Sequence, residues 1–470
     1  MTGERMLRIL LSRPLATFLF SLLLGGCNET YVRPAPPIPA VWLDSLHGPA
    51  GESVASKIGW REFFDDPRLM GLIEAALTHN RDLRISVARI EEARAQHGLS
   101  NADKSPLVNV GGNYNQVLTP GGLGGSDQSV TGRRIDSSIS LVSYEIDFWS
   151  RLSGLAEVAR ASYLASEEAQ RAVRLTLISD IANAYFVQLE LDERIGLMRE
   201  SISTNEQTLN LVKIAHDAGY ASEAELLQVD TAFNAARSLL TSLERDRSNI
   251  SNQLQYLVGE MPSGLPPGRD LARQAVLLDL SVGLPSEVLL RRPDVLAAEL
   301  RLAGAHANIG AARAAFLPRI VLTGLLGTAS QSLSGLFATG SKSWMFQPTL
   351  SLPIFDGGRT AASVELAEAR KVIAVAEYEK TIQIAFREVA DLLAMRASLS
   401  EQIRAAQANL QNQERRLRVV QSQFKGGQVS YLNVLDAKRE RLAAEQLTVQ
   451  LRRSQLTAAA QLYKALGGGA

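Results

Sequence analysis

The chain has 470 residues, 46% of them hydrophobic and only 6% aromatic, and its 49 basic and 49 acidic residues cancel. A balanced charge gives no bulk attraction for nucleic acid or for an anionic membrane surface. A single cysteine, Cys27, excludes any internal disulfide. This length ordinarily suggests two or three domains, but self-similarity at a period of about 210 residues overrides that prior.

Arg5, Arg8 and Arg13 precede an apolar run from Leu15 to Leu24, too short to be a comfortable membrane span, so residues 1–26 read as a signal peptide. Leu24, Gly25, Gly26 and Cys27 then resemble a bacterial lipobox, in which cleavage falls before the cysteine and acyl chains are added to its sulfur and amine. A plain secretory signal with an incidental cysteine is the alternative. Asn28 follows, and by resemblance to sorted lipoproteins the absence of Asp there permits transfer to the outer membrane. Residues 27–59, with Pro34, Pro36, Pro37 and Pro39, read as an extended tether behind the lipid.

The first repeat, 60–285, opens with WREFFDDPRL and helical patterns on either side of residue 80, where Ala88, Ala93 and Ala95 permit close helix approach. Pro106 ends that helix and period two takes over, with Val108, Val110 and Tyr114 against Asn109, Asn113 and Asn115. Strands are expected at about 107–118 and 137–148, separated by a glycine-rich loop over 119–132. A long helix is expected over 151–216, a returning helix over 222–257, and a Pro- and Gly-rich connection after it. The second repeat, 286–470, has the same order: a helix, strands at about 319–328 and 344–355, a long helix over 359–424 and a return over 430–466. Pro348 and Pro353 weaken the last strand, since proline is tolerated only near strand ends and bulges.

The long helices carry sustained heptads. Ile382, Val389, Ile403, Leu410, Leu417 and Phe424 recur every seven residues, with Ala385, Leu392, Leu399, Ala406 and Val420 in a second seam. Ile181, Ile195, Ile202 and Leu209 repeat the pattern 208 residues earlier. Each long helix spans roughly 100 Å at 1.5 Å per residue, far more than a globular core needs. Four amphipathic strands cannot close a barrel, and an open sheet in lipid leaves costly unpaired edges, so an oligomer is expected.

WREFFDDPRL, RRPDVLAAELRLAGAHANIGAARAAFLPRI, LPIFDGGR and GGQVSYLNVLDAKR resemble the TolC-like outer membrane factors, specifically the lipoprotein, NodT-type branch. The resemblance covers essentially the whole chain after residue 26. It implies a mainly α fold with a transmembrane β-barrel, four strands per chain closed by trimerisation, continued by coiled-coil helices across the periplasm. It further implies an exit duct of a tripartite efflux system, with a periplasmic adaptor and an inner-membrane pump as partners and the lipid bilayer as surroundings. The alternative is a periplasmic coiled-coil scaffold lipoprotein without a pore.

The candidate site residues cluster at two helix–turn–helix tips. Gly219, Tyr220, Ala221 and Ser222 form the first, and Gly427, Gln428, Val429 and Ser430 the second. Glycine ends one helix and serine caps the next; the resemblance adds contact with adaptor hairpins at both. Beyond the second tip, the resemblance places Asn433, Leu435 and Asp436 at a constricted entrance. There three Asp436 carboxylates attract cations, and Leu435 supplies an apolar constriction. Glu225 corresponds to a position that latches the closed state, Val429 stands where some relatives have arginine, and Arg439 is a substitute partner for Asp436. An ordinary exposed helix face is the plain alternative for all of these. Nothing points to an enzyme or a cofactor: the five histidines show no metal spacing, and no nucleophile elbow, P-loop or dinucleotide fingerprint is present.

Overall fold

The computed structural model describes residues 31–39, 58–122, 127–274, 276 and 289–468. The signal peptide, Cys27 and most of the tether lie outside the described residues. Those described group into two compact units. The first comprises residues 31–35, Ile90–Ser166 and Ala298–Tyr378; the second takes the remainder, and the long helices contribute to both.

Helices α1 (Trp60–Phe63), α2 (Pro67–His79) and α3 (Arg81–Ala102) lead to strands β1 (Val108–Thr119) and β2 (Val130–Ile146). Helices α4 (Arg151–Asp217) and α5 (Glu223–Val258) follow, and α6 (Pro293–Ala314) opens the second round. It continues with β3 (Arg319–Ser330), β4 (Lys342–Ser351), α7 (Arg359–Lys425) and α8 (Tyr431–Ala465).

In the first unit the strands form one antiparallel sheet in the order β1-β2-β3-β4. The register puts Val110 opposite Ile139, which stands opposite Leu326, which stands opposite Trp344. Val108, Tyr114, Ile320, Phe346 and Leu350 share that face, because side chains two apart point the same way. The other face carries Asn109, Asn113, Ser138, Asp136, Thr323, Gln347 and Thr349. On the apolar face Val110 is 80% exposed and Trp344 75% exposed. Each such side chain forgoes roughly 1.5–3 kcal/mol while it faces water, so this face is built for an apolar surrounding. Among the described residues no helix is long and apolar enough to cross a membrane.

Two strand bounds differ from the periodicity. Strand β2 begins at Val130, inside the expected glycine-rich loop, and pairs there with Thr119. Thr131 and Arg133 share a face with Leu118 and Gln116, so the alternation there is polar on both sides and hides the strand. Strand β4 stops at Ser351 rather than about 355. Pro353 has no N–H for a ladder, and Ile354 and Phe355 stand exposed beyond the pairing. A bulge between Leu141 and Tyr144, with Ser143 at φ 52°, re-aims the lower end of β2. There Glu145 accepts both nitrogens of a fork from Arg151, at 2.8 Å each, and a further bond from Arg319 at 2.6 Å.

Asp147 and Asp356 explain how each long helix starts. Asp147 accepts from the backbone of Leu152 and Ser153, and Asp356 from that of Gly358 and Thr360. Both side chains satisfy N–H groups that a helix N-terminus otherwise leaves open. Small residues then allow close approach: a methyl at Gly154 would stand 3.2 Å from Ala311, and one at Gly304 3.2 Å from Ala161. The expected alanine face of α3 does not do this within the chain, since Ala88 and Ala95 are exposed.

In the second unit the heptad positions are buried as helix seams require: Ile181, Ala184, Leu191, Ile195 and Met198 on α4, and Ile382, Ala385, Val389, Leu392, Leu399 and Leu417 on α7. The WREFFDDPRL stretch closes this unit. Trp60, Phe63, Phe64 and Leu69 are buried, and Phe63 stacks on Tyr463 of α8 with centroids 4.4 Å apart. Asp66 caps α2 and also accepts from Tyr185 at 2.9 Å, Gln274 at 2.6 Å and the Arg269 backbone at 3.0 Å. Burial pushes the Asp66 carboxyl up, but these donors outweigh it and hold the group below the usual carboxylate range. Arg292 makes a second buried hub, with Asp294 at 2.8 Å, Glu388 at 2.9 Å and the Ala465 carbonyl at 2.8 Å.

Candidate functional site

Both hairpin tips lie in the second unit and share one backbone device. At the first, Gly219 has φ 79°; its N–H bonds to the His216 carbonyl and that of Tyr220 to Ala215. At the second, Gly427 has φ 68°; its N–H bonds to Phe424 and that of Gln428 to Gln423. These paired bonds around a left-handed glycine form a Schellman motif, and a side chain on Cβ is strained at that φ. Tyr220 projects from the first tip, 89% exposed.

The returning helices begin differently. Ser222 accepts from the Glu225 backbone at 3.3 Å, while the Glu225 carboxylate accepts from the Ser222 N–H at 2.9 Å, completing a capping box. The Ser222 hydroxyl also donates to that carboxylate at 3.0 Å. These bonds hold the Glu225 carboxyl below the usual glutamate range. The carboxylate expected as a latch is thus engaged within its own tip. Ser430 occupies the N-cap position but caps no N–H with its side chain; its hydroxyl donates to Asn433 Oδ1 at 3.0 Å. The expectation that both serines cap therefore holds only at Ser222. Asn433 stands where the first tip has Glu225 and offers a neutral amide oxygen that takes the hydroxyl away from the backbone. Phe424 and Tyr431 meet edge-on across the second tip, with centroids 5.2 Å apart. The Tyr431 hydroxyl lies 2.6 Å from that of Thr208 on α4.

Asp436 is flanked by cations. Arg439 Nη2 stands 2.9 Å from Oδ1, and Arg416 Nη2 on α7 stands 2.6 Å from Oδ2. The carboxylate thus meets the partner expected for it, Arg439, and a second, unexpected one, Arg416, within its own chain, and Arg439 also touches Glu440 at 3.2 Å. Leu435 and Asp436 line a groove of about 570 Å³ with Met198, Ala232, Ala235 and Leu442. Within the chain, Leu435 thus faces the α4–α5 hairpin across that groove. Arg416 was missed from the sequence, though a signal exists: reflecting Asp436 through Gly426, the apex of an antiparallel hairpin, lands on it. Ion pairs also cross the first hairpin, Arg247 to Asp192 and Arg199 to Glu244, though about centres slightly beyond the position equivalent to Gly426. Tyr431 and Thr208 have no such signal, because they join two separate hairpins.

A sheet with one apolar and one polar face, open at both edges, carried by long paired helices with capped tips, defines a membrane-embedded β-strand protein with helical hairpins. The chain belongs to the outer membrane efflux protein family, whose model matches residues 72–260 and 284–468. It is 40% identical over 459 residues to the solvent efflux pump outer membrane protein SrpC of Pseudomonas putida, covering 95% of this chain and 96% of that one. It is 38% identical over 460 residues to the outer membrane protein OprJ of Pseudomonas aeruginosa, covering 97% and 95%. Among solved structures, the open state of the MtrE outer membrane channel of Neisseria gonorrhoeae superposes with a TM-score of 0.86 at 33% identity, covering 94% and 98%. A CusC structure does so with a TM-score of 0.83 at 37% identity, covering 94% and 99%. The protein is an efflux component of the outer membrane, a part of a transport apparatus.

Proposed function

We propose that three copies of this chain close a twelve-stranded barrel and that the protein is the exit duct of a tripartite efflux system, passing small molecules outward. The observation that carries this reading is the sheet itself. Strands β1 and β4 each pair on one side only, and at the level of Val110, Ile139, Leu326 and Trp344 the exposed face is apolar across all four strands. In lipid each unpaired backbone group costs several kcal/mol, so other copies must complete the ladder. The polar face, with Asn113, Asp136, Thr323 and Gln347, then lines a wet lumen.

The tips Gly219–Ser222 and Gly427–Ser430 meet a periplasmic adaptor, which delivers cargo from an inner-membrane pump. Leu435, Asp436, Asn433 and Arg439 border the entrance, with Arg416 as the additional partner and Glu225 as a support of the first tip. Relatives of similar identity carry names that mention solvent, toluene and antibiotic efflux, which fits a duct whose cargo is chosen by the pump. Cys27 carries the acyl anchor, residues 1–26 are removed before it, and 60–285 and 286–470 are the two repeats. Reconstitution into planar bilayers tests the pore: discrete single-channel steps are expected, and a detergent-solubilised mass of one 51.0 kDa chain in the conducting preparation sinks the trimer. Cys27→Ser should abolish palmitate labelling of the mature protein, and persistent label removes the anchor.

A further inference from the structure

One end of the apolar sheet face is cationic. At the end remote from the helices, the face that carries Val110, Ile139, Leu326 and Trp344 turns mostly polar. Gln116 stands opposite Arg133 there, Thr131 follows two residues on, and Lys342 closes the same face on β4. Both cations are exposed, and among the described residues neither pairs with a carboxylate. Cations elsewhere on the sheet are matched. Arg134, on the opposite face, reaches Asp136 at 3.2 Å, and at the helical end Arg151 and Arg319 are both taken up by Glu145.

The polar groups beside Arg133 are set to donate. The Tyr114 hydroxyl donates to Gln116 Oε1 at 2.5 Å, which occupies the amide's acceptor and leaves its N–H groups to face a ligand. Guanidinium, amide and the Thr131 hydroxyl thus share one face as donors, the set that anionic oxygens require. One same-face position below the polar band stand Tyr114 and Trp344, aromatic types that gather at the headgroup level of membrane strands. Spacing narrows the ligand further. Ser137 and Lys342 both pair with Thr328, so Lys342 lies level with a residue four positions below Arg133. At about 3.3 Å per residue and about 4.8 Å per strand, the two backbones stand about 13 Å apart along the strands and roughly 10 Å across them. One phosphate does not bridge that gap, whereas a headgroup with two is gripped at both.

We propose that Arg133 and Lys342 bind the phosphorylated sugar headgroup of an outer-leaflet glycolipid, one phosphate at each cation, with its acyl chains lying against Ile139, Leu326 and Trp344. This rests on the reading of the sheet as membrane-embedded. Gln116 and Thr131 donate to the phosphate held by Arg133. The lipid then supplies the counter-charge that the chain itself withholds from these two cations, so the face is electrically complete only in an anionic leaflet.

The test uses the purified full-length protein in detergent, with lipid A carrying both phosphates as the probe and bound lipid counted by native mass spectrometry. Each variant is matched to the native protein by circular dichroism. Arg133→Gln and Lys342→Gln should each weaken binding roughly three- to tenfold, and the double variant should lose about the product of the two. Arg134→Gln, one residue along but on the other face, should change nothing. Lipid A with a single phosphate should bind the native protein as weakly as the full lipid binds either single variant. Equal losses from Arg134→Gln and Arg133→Gln reduce the site to bulk charge and overturn it. Phosphatidylglycerol bound as tightly as lipid A, or lipid A displaced by inorganic phosphate at matching concentration, overturns it too. The placement of the sheet in lipid is read separately: the fluorescence that Trp344→Phe removes should be quenched in vesicles with brominated acyl chains. Unquenched fluorescence there overturns the membrane reading on which the site rests, whichever lipid binds in detergent.

Discussion

The two hairpin tips are the same backbone carrying different chemistry. Residues 208 apart build the same left-handed glycine and the same two C-terminal bonds, yet one return helix starts with a reciprocal cap and the other with a side-chain pair. The first tip's return helix is capped from within the turn, by Ser222 and Glu225. The second is held by its neighbours: Phe424 against Tyr431, Tyr431 beside Thr208, and Asp436 between Arg416 and Arg439. The turn is common to both tips, while one return helix is capped from within and the other leans on contacts beyond its turn.

The largest effect should come from what the tips share. Gly219→Ala and Gly427→Ala each force a Cβ into a left-handed residue and should cost about 1–2 kcal/mol of local stability. Hydrogen exchange at the tip amides measures this, and a clear inequality between the two breaks the equivalence of the turns. Next comes the cap. Ser222→Ala should cost about 1 kcal/mol because N–H groups lose their acceptor, while Ser430→Ala should cost less than about 0.5 kcal/mol. Equal losses mean that Ser430 caps in solution after all.

Asp436→Asn should weaken divalent-cation block of the reconstituted channel by roughly two- to fivefold, since it removes a partly exposed charge worth up to about 1 kcal/mol and leaves two arginines facing each other. Leu435→Ala should leave charge selectivity unchanged. A block identical in the Asp436→Asn channel returns the residue to ordinary surface. The smallest effect is in pH. Glu225 titrates below its unfolded value, so its share of the first cap is fully present above the ordinary glutamate range and is lost as pH falls through the lower folded value. Protection of the amides of residues 222–225, taken as exchange relative to the intrinsic rate at each pH, should therefore fall on acidification, while that of 430–433 should show no such step from their cap, because Asn433 does not ionise. Identical acid profiles would remove the distinction.

Much of the fold was legible because its determinants are periodic and local. The heptads mark helices about 67 residues long, and alternation marks the strands wherever one face is apolar. It failed at Val130 because Thr131 and Arg133 are polar on the face that is apolar lower down, and at 352–355 because four apolar-looking positions continue past the ladder. The site was half legible. Gly219, Gly427 and Ser222 act through their nearest neighbours, so sequence suffices for them. Ser430 depends on which side chain stands three residues on, and Asp436 on an arginine twenty residues back across the hairpin. Asp66 was invisible as a hub, since its partners lie 119, 203 and 208 residues away.

The closure of the second unit has a consequence for biogenesis. Phe63 from the first helix stacks on Tyr463 from the last, and the buried Arg292 guanidinium finishes its bonding on the Ala465 carbonyl. A polypeptide clipped or stalled before Tyr463 presents an open aromatic slot and a cation short of an acceptor, a penalty of several kcal/mol charged to the middle of the sequence. Completion of the last helix therefore stabilises the whole unit, its first segment included. A periplasmic protease that samples unfolded chains can then distinguish finished polypeptides from truncated ones without reading either end.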